Sequence, residues 1–120
     1  MAGSRKGSDE RVAACTVVTP REEVLWFAER MERKLKANDH KGHWDNCEMG
    51  YLSRRLHQEA KELSRALRKL ADEIEKAAVY APIVELATIE NVIDEAADCA
   101  NFSMMIADNA RAFLREERDR

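Results

Sequence analysis

From Glu48 onward, Leu52, Leu56, Leu63, Leu67, Leu70 and Ile74 recur at intervals of three, four or seven residues, and no other feature of the chain constrains its fold as strongly. Side chains three or four apart share one side of an α-helix, so the stripe predicts a long amphipathic helix, with Ala60 and Ala66 filling in. The pattern falters at "AAVYAP", and Pro82 predicts a helix boundary nearby. A further helix is expected from a start between Ile83 and Ile89 to about Leu114. Ahead of the long helix, "TPRE" has the form of a capping box, with Thr19 as N-cap, Pro20 at the first helical position and Glu22 three residues after the cap. Val24, Ala28, Met31 and Leu35 continue that helix until "NDHKGHWDN" breaks it.

Composition agrees with the pattern. Only four Gly and two Pro occur in 120 residues, with 45% apolar and 36% charged side chains, so the expected class is all-α, a helical bundle. The length suits one domain, 19–120, preceded by a polar tail or arm over 1–18 in which "VAACTVV" reads as a short strand or an arm laid on a neighbour. The formal net charge of −3 gives no general attraction to duplex nucleic acid or anionic lipid. No run approaches the roughly 18 apolar residues that span a bilayer. Three Cys without close spacing, and no signal-peptide apolar core, lead to the expectation of a soluble cytoplasmic protein.

Two carboxylate pairs carry the functional reading. Glu59 and Glu62 in "EAKE", and Glu95 and Asp98 in "EAAD", are each three apart and project from one side of their helix. Glu59 lies about 50° from the centre of the leucine stripe at 100° per residue, so it should border the core and be partly desolvated. The last helix has Ile89, Ile93, Ala96, Ala97, Ala100 and Met104 on one side, with Phe102, Met105 and Ile106 beside Glu95 and Asp98 on the other. A helix apolar on both sides is buried on both, and like charges there are costly unless a cation offsets them. The numbers 59 and 98 have the same sum as 62 and 95, so an antiparallel hairpin reversing near residues 78 and 79 brings all four carboxylates to one level. Such a cluster suits Mg²⁺, with Mn²⁺ able to substitute. A di-iron or di-manganese bundle would need Glu-x-x-His pairs, which are absent. Zinc at His40, His43 and Cys47 would need a remote fourth ligand.

"KGHW", "EAKE" on a long helix and "EAADCANFSMMIADN" together make residues 21 to 114 resemble the MazG-like all-α nucleoside triphosphate pyrophosphohydrolases, the phage and bacterial type, in the superfamily of dimeric dUTPases and dCTPases. The family motif is EExxE followed by ExxD. Gln58 stands where its first Glu usually is, and the spacer from Glu62 to Glu95 is long for the family. The resemblance implies Glu59, Glu62, Glu95 and Asp98 as catalytic Mg²⁺ ligands in a bundle completed by homodimer or homotetramer formation. It also implies hydrolysis of a nucleoside or deoxynucleoside triphosphate to the monophosphate and pyrophosphate.

Other residues take substrate roles beside plainer ones. Lys41 grips phosphate or is solvated, and Trp44 stacks on the base or covers the core. Asn101 offers donors and an acceptor to the nucleoside or bonds across a helix interface, and Asn109 closes the pocket or stays a surface group. Arg55 reads as an ion-pair partner of Glu59, Cys99 as a small buried residue, and His40, His43 and His57 as loop or surface groups. Glu59, nearest the stripe, is the candidate base as well as ligand. Two alternatives remain, a non-catalytic helical dimerisation or interaction protein and a phosphoribosyl-ATP pyrophosphohydrolase.

Overall fold

The computed structural model describes residues 17–80 and 83–118, and every regular element among them is helical. The order is α1 (Glu22–Ala37), two single 3₁₀ turns (Asp39–Lys41 and Trp44–Asn46), α2 (Met49–Tyr80) and α3 (Leu86–Arg118). The expected arm falls outside the described residues apart from Val17 and Val18, which are exposed and in no regular element.

α1 starts two residues later than the capping-box reading. Its N-cap is Arg21, in an extended conformation and without a side-chain cap bond, while Thr19 and Pro20 lie outside the helix. The first turn relies instead on Glu22 and Glu23, and the last on Lys34 and Lys36, charges of the sign that each end of the macrodipole favours. At the C-terminus the Asn38 amide donates to the Lys34 carbonyl at 3.0 Å, satisfying one of the orphan acceptors. Gly42, between the two 3₁₀ turns, has φ +96° and ψ 174°, a region costly for any side-chain-bearing residue.

α3 is the central helix, as its two apolar sides predict: α2 runs antiparallel along one side and α1 packs on another. On α2 the packed face follows a heptad pattern through Leu52, Glu59, Ala66 and Glu73, with Leu56, Leu63 and Leu70 between them and Ala77 beyond. Leu67 and Ile74, expected within the stripe, are more than half exposed, and Ala60 is exposed too. On α1 the inward face is Phe27, Arg30, Met31, Lys34 and Leu35, whereas Val24 and Ala28 face outward. Both departures involve polar residues on the packed face. Glu73 and Lys34 turn inward to partners on α3, Thr88 and Asp98, and Glu59 turns inward to the carboxylate cluster, so apolar periodicity alone misplaces the packed face.

Residues 78 and 79 are still helical, and the hairpin reverses only after Tyr80, where α2 ends, and before Leu86, where α3 begins. The carboxylates still share a level because the hairpin is lopsided. Glu73, seven residues before the end of α2, reaches the start of α3: its Oε1 accepts the Glu85 N–H at 3.1 Å and its Oε2 accepts the Thr88 hydroxyl at 2.7 Å. The last turn of α2 therefore extends past the start of α3. Glu73 thus caps a helix other than its own, occupying donors that would be orphaned at the α3 N-terminus.

Candidate functional site

A cleft of about 500 Å³ opens where α1, the 3₁₀ turns, α2 and α3 meet. Glu59 and Glu62 from α2, and Asp98 and Asn101 from α3, form its floor, with Lys34 on the α1 side and Lys41 and Trp44 on the turns. Carboxylate oxygens of Glu59, Glu95 and Asp98 lie within 4.8 Å of one another. Among the described residues this is the one gathering of three His, Cys, Asp or Glu side chains close enough to share an ion. Glu62 stands at its edge, lining the cleft and pressing its charge on both Glu59 and Glu95. The hairpin arithmetic thus unites Glu59, Glu95 and Asp98 tightly and leaves Glu62 as a near neighbour.

Glu59 is 5% exposed, at the centre of the packed face of α2 rather than at its border. Burial, followed by the charge of Glu62, pushes its carboxyl above the ordinary range despite Arg55, whose Nη2 donates to Oε2 at 3.1 Å. The Glu95 carboxyl is also raised, first by burial and then by the charges of Glu62, Asp98 and Glu59. Its Oε2 is buried without a hydrogen-bond partner. An orphaned carboxylate oxygen beside two further carboxylates is a donor set of hard oxygens, and it fits a divalent cation of the Mg²⁺ kind better than a soft metal. His40, His43 and Cys47 do not gather in this way, and His43 Nδ1 accepts the Asp45 N–H at 3.2 Å.

The flanking residues divide into cleft wall and scaffold. Lys41 is exposed at the cleft. Trp44 is half-buried, donates from Nε1 to Asp108 Oδ2 at 3.0 Å, and has the His43 ring stacked on it at 3.9 Å, so one face of the indole is already covered. That bond and the neighbouring Arg111 hold the Asp108 carboxyl below its ordinary range. Asn109 lies outside the cleft wall, where its amide donates to the Trp44 carbonyl at 3.0 Å and ties the turn to α3. Asn101 is 5% exposed and donates to the Met31 carbonyl at 3.1 Å, while its Oδ1, in the cleft lining, has no partner. It takes the interface role and still keeps a free acceptor.

Two residues of the site were missed by sequence reasoning. Lys34 donates to Asp98 Oδ2 at 3.1 Å, and Asp108 anchors the tryptophan. Lys34 follows Met31 by three, a spacing visible in the sequence, but nothing there marks it as facing inward. No family model, curated protein or solved structure matches this chain.

Proposed function

We propose that the chain is a Mg²⁺-dependent nucleoside triphosphate pyrophosphohydrolase, converting a nucleoside or deoxynucleoside triphosphate and water into the monophosphate and pyrophosphate. The observation carrying this reading is the convergence of Glu59, Glu95 and Asp98 within 4.8 Å, with Glu59, Asp98 and the neighbouring Glu62 lining a cleft large enough for a small ligand and Glu95 behind them. Those four carboxylates would hold Mg²⁺, with Mn²⁺ able to substitute, and the bound ion would neutralise phosphate oxygens and acidify water. Glu59 is the proton acceptor for the attacking water, since burial and the charge of Glu62 raise its affinity for a proton above that of an ordinary glutamate. Lys41 and the open face of Trp44 suit the phosphate chain and the base, and Asn101 Oδ1 suits a donor on the nucleoside.

No described helix is long and apolar enough to cross a membrane. Uncovered apolar side chains, among them Leu67 and Ile74 on α2, support a homodimer or homotetramer. The same surface favours a second reading, a helical interaction module whose carboxylates are structural. A panel of nucleoside and deoxynucleoside triphosphates incubated with Mg²⁺ separates the two. At least one should yield monophosphate and pyrophosphate. Diphosphate and orthophosphate as the only products would refute the assigned cleavage, and no turnover of any nucleotide would favour the module.

A further inference from the structure

Two cations sit against the carboxylate cluster, and they are held differently. Arg55 shares a helix with Glu59 and is fixed three ways: by Glu59 Oε2 at 3.1 Å, by Gln58 Oε1 at 2.7 Å and by the Phe102 ring, whose centroid is 5.1 Å away. Lys34 comes from another helix and makes one bond to the cluster, from Nζ to Asp98 Oδ2, with the two side chains 31% and 32% exposed. A compact ammonium on a flexible four-carbon stem, held by one partly solvated bond, is the cation that can be exchanged. Lys41 lines the same cleft, together with the acidic Glu59, Glu62 and Asp98. The orphaned Oδ1 of Asn101, on a side chain 5% exposed in the same lining, independently marks the cleft as built for a ligand.

We propose that Lys34 is a resident counter-ion that gives up Asp98 when a divalent cation binds and then moves onto the anionic oxygens of the ligand entering the same cleft. The inference rests on the carboxylate cluster being the Mg²⁺ site. Two positive centres on one carboxylate repel, so the ammonium competes with a metal that binds alone. Once a polyphosphate supplies negative charge beside it, the same ammonium favours the loaded state. Lys34 therefore couples the two ligands, opposing the first and favouring the pair.

The test is calorimetry on the full chain as wild type, Lys34→Gln and Lys34→Arg, titrated with MgCl₂ alone and then with inorganic tripolyphosphate at saturating Mg²⁺. Lys34→Gln should bind Mg²⁺ alone about tenfold more tightly and tripolyphosphate about tenfold more weakly, the effect that one neighbouring charge has on an ionising group. Lys34→Arg should restore both values towards wild type. In the unsubstituted protein, amine-reactive labelling of Lys34 read by mass spectrometry should rise when Mg²⁺ is added and fall again with tripolyphosphate. Weaker Mg²⁺ binding by Lys34→Gln would mean that the lysine merely holds Asp98 in place, and would overturn the proposal. So would wild-type affinities in that variant, or labelling unchanged by bound Mg²⁺. A wild type that takes up no Mg²⁺ at all would instead overturn the metal-site reading itself.

Discussion

At the scale of single residues, the four carboxylates are not equivalent. Asp98 has Lys34 and Glu59 has Arg55, whereas Glu95 has no cation against it among the described residues and keeps one oxygen orphaned. Glu95→Gln should therefore stabilise the metal-free protein, by roughly 2–4 °C in melting temperature, while Asp98→Asn strands the Lys34 ammonium and should gain less. The pH dependence has a definite sign. The carboxyls of Glu59 and Glu95 are raised above 4.5 in the fold, so the folded state takes up protons before the unfolded state does. In chelator their contribution should make the protein more stable as pH falls from 7 towards 4.5, and the gain should be smaller in Glu95→Gln. Melting curves across that range check both statements. A wild type that only loses stability on acidification, with no difference in the variant, would contradict them.

At the scale of elements, the three helices and the turn region were legible, because period and punctuation are local properties. α2 begins one residue from its expected start, and α3 begins within its expected window. What could not be read was which face each helix turns inward, since that depends on partners elsewhere in the chain. Leu67 and Ile74 look like core residues yet lie outside, and Glu59 looks like a border residue yet is buried. Glu73 reads as one more surface acid on a charged helix, although its two oxygens cap α3. The carboxylate cluster was legible through its like charges, a repeated pair on each helix, and Arg55 as the partner of Glu59 through its i, i+4 spacing, but Lys34 was not. A lysine such as Lys34 is unremarkable until Asp98 is placed 3.1 Å away. Thr19 erred in the opposite direction, a good capping sequence in a segment that stays outside the helix.

At the scale of the whole molecule, the described chain is long and thin. It extends 62 × 31 × 22 Å with a radius of gyration of 19.6 Å, against about 14 Å for a compact chain of this length. Leu52, Ala66 and Ala97 are the only buried apolar side chains among the described residues, while Trp26, Leu67, Ile74, Phe113 and Leu114 are exposed. So thin a core, with so much apolar surface left over, predicts an assembly of at least two chains. Light scattering at micromolar concentration should give a dimer or tetramer mass, and Leu67→Asp combined with Ile74→Asp should lower it; a monomer's mass for the wild type would contradict the expectation.

The central claim is that the carboxylates converge to hold a divalent cation, and a ligand stabilises the state that binds it. The direct test compares melting of wild type, Glu62→Gln and Glu95→Gln in excess Mg²⁺ and in chelator. Mg²⁺ at about a hundred times its dissociation constant should raise the wild-type melting temperature by roughly 10 °C. Each variant should melt no lower than wild type in chelator and should lose most of the Mg²⁺-dependent rise. Equal melting of wild type with and without Mg²⁺, together with destabilisation of both variants in either condition, would show the carboxylates to be structural and would contradict the account.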